Sequence, residues 1–307
     1  MPLFDAYIVV DWSANRTPKR GADSIWYALY VDSGRGLRRR RLANPSTRAQ
    51  ATEELETILR RLLAQGRRSL VGFDFPNAYP RGFAAAAGFS GRPWRAVWDG
   101  LGEAIEDGPD NANNRFAVAA ALNRRISGRG FPFWGCPAHM AEETLTVGKN
   151  GPYGDELLPE RRHCERYLPS TQPCWKLYTT GSVGGQALVG IPVKQRLRDH
   201  PALAPHTRVW PFETGLSPDI DEACRIVLAE VYPSILPVRP GPGEIKDALQ
   251  VCATAKAFAG RDRDGLLGRD LAGPEELTAA ERRLIEREEG WILGAGTFRP
   301  TGDRSRR

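Results

Sequence analysis

Two short apolar runs that both end in an aspartate most strongly constrain the fold of this chain. Residues Ala6–Asp11 (AYIVVD) and Ser69–Asp74 (SLVGFD) have the length and β-branched content of buried strands. Between them, Ser24–Val31 and Gly36–Leu42 predict two further strands with short connections, as in an antiparallel meander. An amphipathic helix with Leu55, Leu59 and Leu62 on one face then precedes the fourth strand. The N-terminal order is therefore strand, strand, strand, helix, strand.

The two strands that end in aspartate are expected to be parallel neighbours, because one helix connects the meander to the fourth strand. Asp11 and Asp74 would then lie together at the carboxyl edge of the sheet. Either aspartate alone is also common as the first residue of a turn or a helix cap. The matched position of the pair favours a shared site.

The middle of the chain, about residues 77–206, has weaker periodicity and is interpreted as an insertion. Helices are predicted over Trp94–Glu106 and Asn113–Ile126, whereas Gly128–Gly190 is dense in Gly, Pro and aromatic residues and predicts loops. Within it, Gly181–Gln186 (GSVGGQ) is either a phosphate-binding loop or a turn before a short helix. The turn is favoured, because the segment lacks the lysine and glycine spacing of a P-loop.

A zinc site is a second hypothesis for this middle region. Cys136 and His139 have a ligand-like spacing. Cys164, which directly follows His163, and Cys174 would complete a tetrahedral set. The second cysteine pair is too widely spaced for a zinc knuckle, so zinc is judged unlikely and buried thiols are favoured.

The last third predicts two more strands and a helix. Thr207–Glu213 (TRVWPFE) and Ile226–Tyr232 (IVLAEVY) have strand character, and Glu244–Phe258 has an apolar helical face. Asp247 falls in the first turn of that helix, where a carboxylate is also stabilised by the helix dipole alone.

The excess of basic over acidic residues is confined to two segments of the chain. Arg35–Arg41 and the tail Phe298–Arg307 carry +5 and +3 of a formal net charge of +6, which leaves −2 for all other residues. The pI near 9 therefore does not indicate a basic nucleic-acid-binding body.

Composition removes several classes of protein. With 41% hydrophobic and 26% charged residues, the chain resembles globular proteins and not disordered ones. It has no apolar run of the roughly 20 residues that a membrane helix needs, and no secretory leader pattern. Five cysteines in 307 residues do not form a disulfide framework. A cytoplasmic location with reduced thiols and no membrane partner is expected.

Six motifs together resemble a bacterial family known as domain of unknown function 429, regarded as predicted ribonuclease H-like nucleases. They are VVDWSA, VGFDFP, TTGSVGGQALVGIP, VWPFE, EVYPS and KDALQVCATAKAFA, over roughly residues 6–260. The resemblance implies an α/β fold of ribonuclease H-like type, with a mixed five-stranded sheet flanked by helices and a loop-rich insertion after strand four. Residues 1–297 would form one domain, and 298–307 a disordered basic tail.

The resemblance also implies a function. The acids that match Asp11, Asp74 and Asp247 bind divalent metal ions in that superfamily, and Glu230 and Glu213 are further catalytic candidates that would orient water. Carboxylates suit Mg²⁺ or Mn²⁺, and two such ions promote phosphodiester hydrolysis. The expected activity is a metal-dependent nuclease with a nucleic acid or nucleotide as substrate.

Substrate contacts are expected outside the acids. Arg39 and Arg41 alternate along the third strand and would share one face, either as phosphate contacts or as a charged edge that resists aggregation. Trp12 and Ser13 directly follow Asp11, so Trp12 would stack on a base or pack beneath the site.

Two other classes stay open. One is a non-catalytic binding scaffold whose acids are structural. The other is an actin-like or sugar-kinase-type phosphotransferase, which would need a glycine-rich phosphate loop after the first strand. Residues 12–15 (WSAN) contain no glycine.

Overall fold

A six-stranded mixed sheet with helices on both faces forms the centre of the protein. The computed structural model describes residues 2–34, 36–154 and 157–298. The strands are β1 (Ala6–Asp11), β2 (Trp26–Asp32), β3 (Leu37–Ala43), β4 (Ser69–Phe73), β5 (Thr207–Val209) and β6 (Ile226–Glu230). The helices are α1 (Arg48–Ala64), α2 (Phe83–Ala86), α3 (Pro93–Ala104), α4 (Arg115–Ser127), α5 (Gly184–Asp199), α6 (Lys246–Arg263), α7 (Leu267–Ala272) and α8 (Ala279–Leu284).

The strand order is β3-β2-β1-β4-β6-β5. The meander β1, β2 and β3 is antiparallel, and β1, β4, β6 and β5 run parallel. The predicted parallel pairing of β1 with β4 is confirmed, with Val10 opposite Phe73. The five strands that the resemblance implies are one too few, because the strand predicted over Thr207–Glu213 is also present, shortened to Thr207–Val209 and paired with β6 at the edge of the sheet.

Apolar packing covers both faces of the sheet. On one face, Ile8 and Val10 pack in a core that includes Leu55 and Leu59 of α1 and the buried side of α5. On the other face, Tyr7 and Val9 join a core built around α6. Strands that are buried on both faces have nearly continuous apolar sequences, which is why β1 and β4 were recognisable in the sequence.

The insertion contains more helix than its composition predicts. Helices α3 and α4 lie within two residues of their predicted bounds, but the expected short helix after Gly181–Gln186 is the sixteen-residue α5 with Pro192 inside it. Glycine here provides space, because a Cβ on Gly190 would lie 2.6 Å from the Phe75 ring. Burial of most of α5 outweighs its low helix propensity.

At the carboxyl end, Thr278 and Glu281 form a capping box at the start of α8. The basic tail predicted over 298–307 lies outside the described residues, apart from Phe298. None of the described helices is both long enough and apolar enough to cross a membrane.

We predict that Gly72→Ala destabilises the sheet by about 1 to 3 kcal/mol, because a Cβ there would collide with the side chain of Val231. Chemical denaturation measures the effect, and a second change, Val231→Ala, should recover part of it. Gly260→Ala is the matched control: that glycine lies in α6 with open space around it, so stability should rise slightly. Equal effects at both glycines would contradict this packing account.

Candidate functional site

A cleft of about 960 Å³ opens at the carboxyl edge of the sheet. The ends of β1, β4 and β6, the start of α6 and the start of α5 all contribute to its walls. Four of the five acids predicted from the sequence line this cleft, namely Asp11, Asp74, Asp247 and Glu230. The cleft is therefore the candidate functional site.

Asp11 and Asp74 lie side by side because of the β1–β4 register. The amide of Asp74 donates to the carbonyl of Val10 at 2.9 Å, which continues the parallel ladder by one residue. Both carboxyl groups are open to the cleft, yet protein surrounds them on most sides. Burial, with repulsion from the acids around it, raises the pKa of Asp74 to about 7, and burial, Asp74 and Asp247 raise the pKa of Asp11 well above its usual value.

Asp247 reaches the same place from the first turn of α6. Its Oδ2 accepts a hydrogen bond from the amide of Asp23 at 2.8 Å, which fixes the side chain toward the loop between β1 and β2. Its charge contributes to the raised pKa of both Asp11 and Asp74. The neighbouring Lys246 opposes this by lowering the pKa of Asp11.

The three aspartates of the cleft are not neutralised by direct ion pairs. Within the described part of the chain, no ion pair joins Asp11, Asp74 or Asp247 to a cation. The described residues also contain no group of three His, Cys, Asp or Glu side chains already close enough together to hold a metal ion. Three carboxylates that line one cleft nevertheless fit a hard divalent cation, which would relieve the repulsion that, after burial, raises the pKa values of Asp11 and Asp74.

Glu230 is buried at the back of the cleft and is already paired with a cation. Its two oxygens accept from Arg162 Nη2 and Nη1 at 2.6 and 2.8 Å, and Oε2 also accepts from the amide of Asn77 at 2.8 Å. Arg162 in turn donates to Glu165, so the pair belongs to a buried charge network. Glu230 is brought to the site, but as a fixed charge behind Asp74.

The structure does not bring Glu213 to the cleft. Its carboxylate pairs with Arg198 at 2.7 and 2.8 Å and accepts from the amide of Val209 at 2.8 Å. These contacts fasten the turn after β5. The strand predicted over Thr207–Glu213 would place Glu213 at its end, beside the other acids. The observed strand β5 ends four residues before Glu213, so this acid does not reach the cleft.

Trp12 packs beneath the site. Its side chain is 1% exposed and contacts Phe73 and Phe75, so of the two alternatives the structure shows packing and not a ring free to stack on a base. Ser13 does line the cleft, and its carbonyl accepts from the buried Arg48 at 3.0 Å. Arg48 therefore anchors the loop that follows Asp11.

Arg39 and Arg41 point to opposite faces of the sheet, so the expectation that they share a face is wrong. A register shift in the β2–β3 pairing places Arg39 opposite Tyr30 and Arg41 opposite Leu29. Arg41 accordingly pairs with Glu54 of α1 at 2.7 Å, whereas Arg39 lies against Cys252 of α6. Neither arginine lines the cleft.

The cysteines of the zinc hypothesis belong to the apolar interior. All five cysteines of the chain are free and buried, which confirms the interpretation as buried thiols. Cys136 and Cys174 lie in the core on the α1 face, and Cys164 lies in the core on the α6 face. The ring Nδ1 of His163 is 2.7 Å from Glu289.

Sequence reasoning missed two buried cations near the site. Arg115, the first residue of α4, lines the cleft. Lys194 of α5 bonds to Asn77 and lies over the rings of Phe73 and Phe75, and burial lowers its pKa to about 7. Nothing in the sequence marks either cation, because only the tertiary packing of α4 and α5 buries them.

Comparison of the chain with protein families, with curated proteins and with solved structures found no match.

We predict that Asp74→Asn stabilises the fold in a pH-dependent way. The folded pKa near 7 exceeds the unfolded value near 4, so the folded protein holds more protons between these limits and the wild type loses stability as pH rises through them. The difference in unfolding free energy between the variant and the wild type should be small near pH 4. It should grow to about 1 to 4 kcal/mol as pH rises and level off above pH 7. Asp219→Asn, at an exposed aspartate away from the cleft, is the control. Identical pH profiles for wild type and Asp74→Asn would contradict the raised pKa.

A second prediction concerns the network behind the cleft. Glu230→Gln should lower the unfolding free energy by about 3 kcal/mol, because it leaves the buried Arg162 without its bidentate partner. In a double-mutant cycle, R162M combined with E230Q should cost clearly less than the sum of the two single changes. Additive losses would show that the pair does not act as a unit.

Proposed function

We propose that this protein is a divalent-metal-dependent phosphodiester hydrolase, a nuclease with a ribonuclease H-like fold. One observation carries the proposal: carboxylates from β1, β4 and α6 converge on a single cleft, where burial and mutual repulsion raise the pKa values of Asp11 and Asp74. The parallel β1–β4 pair and the late helix that bears Asp247 support the finer assignment of the fold.

Asp11, Asp74 and Asp247 are the residues that would hold Mg²⁺ or Mn²⁺. When bound between such acids, these ions lower the pKa of a water molecule and stabilise the leaving oxygen of a phosphodiester. Asp11 is the central ligand of the proposed set, because both other aspartates act on its pKa. The preference for these ions follows from the all-oxygen donor set.

The chain's own residues keep this arrangement in place. Arg162 and the Asn77 amide hold Glu230 rigidly, and Glu230 keeps a negative charge near Asp74. Arg48 fixes the loop after Asp11 by donating to the carbonyls of Ser13 and Asn15. Glu230 is thus a positioning residue in this proposal, which replaces its expected role in orienting water.

We expect Asp11→Asn to reduce Mn²⁺-dependent hydrolysis of bis(p-nitrophenyl) phosphate by at least about a hundredfold, since loss of a ligand should cost more than loss of a group behind it. The variant should stay folded, because removing a repelled charge does not remove a stabilising contact. Initial rates and circular dichroism give the two readouts. Asp219→Asn, which removes the same charge from the surface, should keep wild-type rates.

Calorimetry with Mn²⁺ separates this proposal from a non-catalytic scaffold. Wild type should bind Mn²⁺ stoichiometrically, and Asp11→Asn should lose that binding. A wild type without metal binding, or an Asp11→Asn variant with unchanged hydrolysis, would overturn the assignment.

A further inference from the structure

The amino end of α5 faces the same cleft, and two of its backbone amides have no hydrogen-bond acceptor among the described residues. The amide of Gly184 donates to the carbonyl of Lys176, but within the described part of the chain the amides of Gly185 and Gln186 have no acceptor. No side chain caps this helix. Free amides at the start of a sixteen-residue helix, together with its dipole, favour an anion.

Arg115 supplies a second, independent indication of an anion. It is 5% exposed and lines the cleft, yet its Nε has no hydrogen-bond partner and Nη1 donates only to the neutral Asn113. No described carboxylate forms an ion pair with it. Arg115 also begins α4, where the helix dipole disfavours a cation. A buried cation in such a place is costly unless an anion binds it.

Other cations strengthen this positive region. Burial, together with the nearby Arg48 and Arg16, lowers the pKa of Arg115 to about 10. Arg48 is already matched by Asp107, whereas Arg16 lines the cleft and, among the described residues, has no ion pair. One wall of the cleft therefore has an excess of positive charge, and the wall with the aspartates has an excess of negative charge.

The helix start and Arg115 are in direct contact. A Cβ on Gly185 would lie 3.2 Å from Arg115 Nε, 2.8 Å from the carbonyl of Leu177 and 3.4 Å from Ala14, so only glycine fits there. Ala14 is three residues beyond Asp11, and three trans peptide units span at most about 11 Å. An anion held here would therefore occupy the same cleft as the three aspartates, and the loop that follows Asp11 would connect the two places.

We propose that Arg115 and the first turn of α5 form a phosphate-binding subsite, which holds a phosphate group of the substrate beside the carboxylate cluster. Its place as a substrate subsite rests on the proposed hydrolase function, but phosphate binding itself needs no metal. The guanidinium Nη2, which has no partner among the described residues, and the amides of Gly185 and Gln186 are the donors.

The test is a titration of the full chain with inorganic phosphate in EDTA, followed by calorimetry and by the shift in Tm. Phosphate stabilises many proteins without binding at a specific site. The test therefore compares the phosphate affinity and the Tm shift of the variants with those of the wild type. Arg115→Gln should weaken binding by about tenfold or more, as expected for loss of a charge-assisted hydrogen bond.

Ser182→Asp provides an independent test in case the Arg115→Gln variant does not fold. It puts a negative charge just before α5, which the helix dipole favours, so the variant should stay folded while it repels phosphate. Ser90→Asp is the matched control, because exposed Ser90 lies just before α3 and away from the cleft, and phosphate binding should be unchanged.

Saturable phosphate binding that survives both Arg115→Gln and Ser182→Asp would overturn the subsite, as would its absence from the wild type. Asp11→Asn separates the two proposals, since it should lose hydrolysis and keep phosphate binding. If Arg115→Gln loses phosphate while Asp11→Asn still hydrolyses the diester, the subsite stands and the proposed metal-dependent mechanism fails.

Discussion

The parallel pairing of β1 with β4 is the constraint on which the rest of the cleft depends. It places Val10 opposite Phe73, so that Asp11 and Asp74 leave the sheet at the same level. A slip of one residue would turn the side chains of a strand to the opposite face and separate the two acids. Since β6 is the next strand and α6 packs against the sheet, the same register also fixes how Glu230 and Asp247 approach.

Charges of opposite sign are concentrated in different parts of the protein, so the net charge does not describe the charge inside the cleft. Of the arginines of β3, Arg41 forms an ion pair with Glu54, and none of them lines the cleft. Three aspartates and Arg115, none of which has an ion pair with the described residues, line the same cleft as the start of α5. A phosphate ester accompanied by a divalent cation would neutralise both excesses together, which neither a simple cation nor a simple anion can do.

The sequence predicts those parts of the fold that depend on local patterns. The strands β1 and β4 and the first-turn position of Asp247 follow from apolar runs and spacing. Of the four predicted acids that line the cleft, Asp11, Asp74 and Glu230 lie at the ends of strands, which share one edge of the sheet. The sequence gives no sign that Arg162 would neutralise Glu230, since 68 residues separate the partners.

The failures have a common physical cause, which is tertiary contact overriding local pattern. One extra residue in β3 reverses the face of Arg41 relative to Arg39. Close packing against Phe75 turns an apparent loop rich in glycine into α5. Burial of Arg115 depends on how α4 and α5 meet, and periodicity within either helix does not report that contact.

The five buried cysteines give the protein a built-in reporter of its own opening. A thiol reagent in water meets no exposed sulfur in the native chain, so labelling has to wait for local or global unfolding. Cys136 and Cys164 lie on opposite sides of the sheet, which means that the two sulfurs become reactive through different openings. The order in which they are modified would distinguish loosening of the core on the α1 face from loosening of the core on the α6 face.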